Sequence, residues 1–288
     1  MNKNSNPPYT SSSLPTGEGG GRGRLILDIG NSTVVIAYSD AEGNIKDIWR
    51  LKTIKGETIS FFRRELRAAL YNFGLQKKDG TLEEIDNIVI SSVVPEVNDK
   101  VTQAIIDVTG VTPHFFSLDD AMKLINIQIE SPSQLGKDRL ADAIGALSYY
   151  GAPAIVIDMG TATTIGVIDE NGDFIGGMIM PGVKTSLKAL SSKASQLPTI
   201  NIEKPRHFIG RNTLECMQSG IIYGTASMID GMIDRIIPTL GKDVKIIATG
   251  GNAHYVISYC KHNIIVDKYL QFKGIMKAAP SITPEEGA

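Results

Sequence analysis

The chain has 288 residues, 42% hydrophobic and 21% charged, the balance of an ordinary globular protein with room for two modest domains. A net charge of −2 and a pI near 6.1 argue against a nucleic-acid-binding surface, and no apolar run is long enough to span a bilayer. Two cysteines, Cys216 and Cys260, without Cys or His partners at metal spacing read as reduced thiols, so a cytoplasmic protein is expected.

Residues 1–24 are Ser, Pro, Gly and Asn with almost nothing to bury and read as a disordered leader; residues 277–288 read as a disordered tail. The body opens on LILDIGNSTVVIAYSDAEGNI: a strand to Asp28, a turn at Gly30-Asn31, a strand, a second turn and a third strand. GETISFFRRELRAALYNFG has helical apolar spacing, and IDNIVISSVVP reads as a buried strand ending at Pro95. EVNDKVTQAIIDVTG is again helical, stopped by Gly110, and TPHFFSL is a short strand.

The opening pattern then returns. AIVIDMGTATTIGVIDENGDFIGGMI places Asp158 and the turn Gly160-Thr161 as Asp28 and Gly30-Asn31 are placed, 130 residues further on. That interval suits two copies of a domain rather than a solenoid repeat. No helix follows the glycine directly, which excludes the strand–loop–helix phosphate sites. The glycines are expected to let the backbone approach a ligand or to adopt positive φ. GVKTSLKALSSKASQL and CMQSGIIYGTASMIDGMIDRIIPTLG read as helices, and VKIIATGGNA as a strand running into the turn Thr249-Gly250-Gly251. The expected fold is α/β with a mixed sheet, twice, over residues 25–130 and 131–276.

An Asp-x-Gly after a strand is usually only a tight turn. Two in matching contexts can present backbone N–H groups and hydroxyls to a polyphosphate from opposite sides, with aspartates for a metal. Between the copies, Gly136-Lys137-Asp138-Arg139 opens the helix DRLADAIGALSYYG. The positive end of a helix dipole suits the Asp138 carboxylate, which reads either as a base facing an interdomain cleft or as a helix cap.

Asp28-Ile29-Gly30-Asn31-Ser32, Asp158-Met159-Gly160-Thr161 and Thr249-Gly250-Gly251 resemble the two phosphate motifs and the adenosine motif of the acetate and sugar kinase, heat-shock chaperone and actin superfamily. Within it, PSQLGKDRLADAIGA, DMGTATT, GGMIMPGV and GRNTLECMQSGIIYG are similar to the type III pantothenate kinases, in order across the folded body. The resemblance implies two ribonuclease-H-like (actin-like ATPase) domains around a cleft, in a homodimer that binds neither nucleic acid nor membrane. It implies ATP-dependent phosphorylation of pantothenate to 4′-phosphopantothenate, the first step of coenzyme A synthesis.

By the same resemblance Asp138 is the catalytic base. Asp28, Ile29, Gly30, Asn31, Ser32, Thr33, Val34 and Val35 form the ATP-phosphate loop, with Asp28 oriented to magnesium or another divalent cation, and Thr161 touches ATP. Asp158 holds potassium or ammonium. Gly136, Lys137, Asp138 and Arg139 hold pantothenate, with Arg139 and Thr213 as polar anchors; Lys137 is the exposed variable position and has no individual role. An arginine suits a carboxylate because its donors form a planar fork.

Two departures stand out: Gly166 occupies a position where the family carries an aspartate, and IQIES precedes Pro132 where the family often has a tyrosine. A non-catalytic nucleotide-binding regulator of the same family is the alternative, and a phosphatase of the superfamily a third reading. Asp138 and Arg139, which a pure regulator has no need to keep, favour the enzyme.

The central helix Leu140–Tyr150 is a candidate dimer seam or a core face; its spacing suits both.

Overall fold

The computed structural model describes residues 23–279 apart from 41, 77–80, 83–84 and 195. Most of the expected leader and tail lies outside these residues. The body is slightly longer than expected at both ends: a strand begins at Gly23, and the last helix reaches Ala278.

The first half starts as a meander of β1 (Gly23–Ile29), β2 (Thr33–Ser39) and β3 (Ile45–Lys52). Helix α1 (Ile59–Asn72), β4 (Ile85–Ser92), α2 (Pro95–Thr109), β5 (His114–Phe115) and α3 (Leu118–Met122) follow. Helix α4 (Lys137–Tyr150) leads into the second half, whose meander is β6 (Ala154–Met159), β7 (Ala162–Ile168) and β8 (Phe174–Pro181). After it come α5 (Val183–Lys193), α6 (Thr213–Leu240), β9 (Lys245–Thr249), α7 (Ala253–Val256), β10 (Ile265–Val266) and α8 (Leu270–Ala278).

Each half holds one five-stranded sheet, in the orders β3-β2-β1-β4-β5 and β8-β7-β6-β9-β10. In both, the first strand pairs antiparallel with the second and parallel with the fourth, so the duplication seen in the sequence is a duplication of topology.

Alternation along the strands sends each sheet's two faces into different cores. Leu25, Leu27 and Ile29 of β1 pack outward under α1 and α2, and Ile155, Ile157 and Met159 of β6 pack outward under α6. Ile26, Val35 and Val89 from the first sheet and Val156 and Ile247 from the second meet in one shared core, filled by α4 and α8. Asp28 and Asp158 have the parity of Ile26 and Val156. Both therefore face the shared layer, at the ends of their strands.

Helix α8 packs on α4 and reaches β1 and β4 of the first sheet, so α8 bridges both halves. The two helices touch backbone to backbone: a Cβ on Gly274 would lie 1.7 Å from the carbonyl oxygen of Ala141. Leu140 through Ala146 of α4 are all buried, which makes this helix the centre of the molecule. Over Leu140–Ala146 the core-face reading of α4 is the correct one, while Tyr149 near the end of the helix is exposed. Among the described residues no helix is long and apolar enough to cross a membrane.

Candidate active site

The two hairpin turns face each other across the mouth of the shared layer. Ser32 Oγ lies 3.5 Å from Thr161 Oγ1, joining turns 129 residues apart. Each turn is closed by its glycine N–H, from Gly30 to the Thr33 carbonyl at 3.0 Å and from Gly160 to the Ala162 carbonyl at 2.9 Å. Neither glycine has positive φ, contrary to one of the two roles expected of them. A Cβ at Gly160 would make ordinary contacts, at 3.6 Å from the Ala162 carbonyl oxygen and 3.7 Å from the Asp158 carboxylate.

Positive φ appears instead at Gly250, in the third glycine turn (φ 88°). There a Cβ would fall 2.3 Å from Asp158 Oδ1 and 2.6 Å from the Met159 nitrogen, so only glycine allows this turn to lie on the second hairpin. Asn252 fastens it, donating from Nδ2 to the Gly160 carbonyl at 2.9 Å.

Asp138 sits in the first turn of α4, whose N-cap is Gly136 with no side-chain cap bond. Asp138 Oδ1 accepts from the backbone N–H of Arg139 at 2.8 Å. It is thus inside the helix rather than at the cap, and it joins Asp28 and Asp158 in one electrostatic cluster. Burial, reinforced by repulsion from Asp138 and Asp158, pushes the Asp28 carboxyl up to about 7. Asp158 is likewise raised to about 7, by burial and then by Asp138. Asp28 has a brace that no motif announced: Gln271 of α8 donates to its Oδ1 at 3.2 Å.

A fourth carboxylate belongs to this cluster and was not singled out in the sequence. Asp142, one turn along α4 from Asp138, is 4% exposed. Its carboxyl is held well above the usual range, first by burial and then by Asp158, Asp138 and Asp28, with Asp267 adding to them. The only available signal was its i, i+4 spacing from Asp138, which does not reveal burial.

Such a cluster is short of positive charge, and its hard oxygen donors suit alkali and alkaline-earth cations. Among the described residues no three carboxylate, His or Cys side chains converge closely enough to hold a metal by themselves. That fits an ion held by one or two carboxylates and completed by phosphate oxygens and water.

The Arg139 guanidinium lies over the Phe174 ring, with Cζ 5.6 Å from the centroid, and burial pulls its pKa below the ordinary value while Asp138 opposes that. Lys137 is half-buried rather than exposed. Thr213 is exposed at the first position of α6, and among the described residues no hydrogen bond links it to Asp138 or Arg139. Ile129, in the segment where a tyrosine was the family expectation, is partly buried against the shared core.

The type III pantothenate kinase family matches residues 24–235. A type III pantothenate kinase of Halalkalibacterium halodurans is 37% identical over 252 residues, 87% of this chain and 96% of that protein. Another from a Geobacillus species is 35% identical over 87% of this chain and 95% of its own length. Among solved structures, one described as a Baf family transcriptional activator from Campylobacter jejuni superposes with a TM-score of 0.53 at 22% identity, covering 88% of this chain and 96% of that one. The ethanolamine utilization protein EutJ of Carboxydothermus hydrogenoformans superposes at 0.52 with 14% identity, over 92% and 91% of the two chains. At these identities the structural likenesses speak for the duplicated fold alone, and the regulatory reading gains nothing from the first. With a family match over most of the folded body and relatives above one-third identity along nearly their whole length, the chain belongs to the type III pantothenate kinases.

Proposed function

We infer that this protein transfers the γ-phosphoryl group of ATP to the primary hydroxyl of pantothenate, giving ADP and 4′-phosphopantothenate. The observation that carries the reading is the apposition of the two hairpins, Ser32 against Thr161, with Asp138 at the head of the helix between them. Two glycine turns opposed in this way can grip a triphosphate from both sides, and a carboxylate between them lies where an acceptor alcohol must enter.

In this mechanism Asp138 accepts the proton of the hydroxyl as it attacks. Its bond to the Arg139 N–H fixes the carboxylate at the helix end. The Arg139 guanidinium, steadied on Phe174, pairs with the pantothenate carboxylate, and Gly136 and Lys137 shape the backbone beside it. Residues 28–35 and Thr161 orient the phosphates, and Thr249-Gly250-Gly251 closes the nucleoside side. Asp28 would hold a divalent cation and Asp158 a potassium or ammonium ion; bound there, these ions neutralise charge on the phosphates and on the carboxylates.

The domain division at residue 130, a cytoplasmic location and a homodimer belong to the same proposal. Exposed Ile179 on β8, Phe208 and Ile209 before α6, and Leu214 within it support an association surface away from α4. Thr213, beside Leu214, then serves as the second polar anchor. A coupled ADP-release assay with ATP, magnesium and pantothenate, with and without potassium or ammonium, tests the reading. Pantothenate-dependent ADP release is expected, and its absence with intact ATP binding would refute it.

A further inference from the structure

Arg139 Nε and Asp142 Oδ1 are both buried and have no hydrogen-bond partner among the described residues. Both line one small cavity between α4 and the second sheet, bounded by Val156, Thr164, Gly166 and Phe174. A buried guanidinium nitrogen and a buried carboxylate oxygen left unmatched each carry a desolvation cost, and nothing else among the described residues meets it. The two residues are three apart on one helix, so their side chains project to the same side. What satisfies both at once is an O–H group, accepting from the arginine and donating to the carboxylate.

The space exists because Gly166 has no side chain. It pairs with Val156 on one side and Gly177 on the other, and a Cβ there would meet Phe174 Cε2 at 3.1 Å. The family pattern puts a carboxylate on the strand at this point, whereas here the carboxylate in the cavity comes from the helix.

We propose that Asp142 is a positioning residue: through an O–H group held in this cavity it fixes the Arg139 guanidinium, and thereby the acceptor's carboxylate. The identification of the acceptor rests on the function proposed above; the Arg139–Asp142 bridge does not. The O–H group is either a water or a hydroxyl of the acceptor.

Crystal structures of the wild-type protein without ligand and with pantothenate decide the bridge. An oxygen within hydrogen-bond distance of both atoms in the ligand-free crystal identifies water, and one seen only with pantothenate identifies the acceptor hydroxyl. Either supports the inference. A cavity with no oxygen in both crystals, or a direct Arg139–Asp142 ion pair, overturns it.

Kinetics supply the second arm. Asp142→Ala is expected to raise KM for pantothenate about 10- to 100-fold, with kcat and KM for ATP within about threefold of the parent. Asp142→Asn, which keeps an acceptor oxygen, should retain most of the affinity. A lower melting temperature with unchanged KM would assign Asp142 a purely structural role and sink the proposal. A wild-type protein inactive on pantothenate would refute the proposed function, while the crystals would still decide the bridge.

Discussion

The two halves share a strand order and a hairpin but support their aspartates differently. In the second half Asp158 is enclosed by its own sheet neighbours: Gly250 lies directly on it, and Asn252 ties that turn to Gly160. In the first half Ser91, beside Asp28 in its own sheet, donates to the carboxylate, and a further bond comes from far away in sequence, from Gln271 on α8, 243 residues beyond Asp28. Both copies hold their aspartates within their own sheets, and the first alone takes a further bond from its twin. The function proposed above assigns them different work, the first aspartate serving the chemistry and the second the seat of the nucleotide.

The largest expected effect lies between the halves. Asp138→Asn should lower kcat by about two to four orders of magnitude while melting temperature and nucleotide affinity stay close to the parent. Near-normal turnover in this variant would remove the base from the mechanism.

The comparison itself is tested by the paired alanine variants. Asp28→Ala should cost about two to three orders of magnitude in kcat with a much smaller change in ATP affinity, partly recovered by high magnesium or manganese. Asn31→Ala should act in the same direction more mildly, since a neutral amide orients but carries no charge. Asp158→Ala should instead raise KM for ATP and abolish the response to potassium. Matching profiles for the two aspartate variants would mean that the halves do the same work.

A smaller effect is expected from the brace. Gln271→Ala should lower kcat on the order of tenfold and raise the magnesium requirement, as loss of one hydrogen bond to a charged group allows. Gln271→Glu, which sets a like charge against Asp28, should be worse than alanine. Equal activity of all three proteins would show that the first half needs no outside support.

The smallest effect is on stability. Asp28 titrates near 7 in the folded chain against an ordinary value of 3.8, so folding favours its protonated form. The part of the ligand-free protein's stability that Asp28 contributes should fall as pH rises from about 4 to about 7 and level off above that. Asp28→Asn should therefore melt on the order of 5 °C higher than the parent at pH 8, the gap closing toward pH 4. A variant that melts lower at pH 8 would show that the carboxylate stabilises the fold.

Much of this was legible in the sequence because it is local. The hairpins, the long α6 and the buried strands carry their periodicity and turn residues within a few positions of each other, and the repeated Asp-x-Gly placed both jaws. Helix α8 was not legible: Gly274 breaks its apolar run and lowers its helical propensity, and the reason for that glycine is the backbone of Ala141 pressed against it. Helix α3 is only five residues long, held by the Ser117–Asp120 capping box, too short for periodicity to show. Asp142 and Gln271 escaped for the same reason, since their importance lies in what packs around them rather than in any pattern along the chain.

The bridging position of α8 bears on how the molecule is made. The shared core needs Leu270, Phe272 and Ile275, which leave a ribosome after both sheets have been made. The outer layers over α1, α2 and α6 can consolidate during synthesis, but the layer between the sheets stays open until α8 has been made. A transcript cut short before Leu270 would yield two half-built sheets with their inner apolar faces in water. The two copies of the fold thus share one core, which α8 completes.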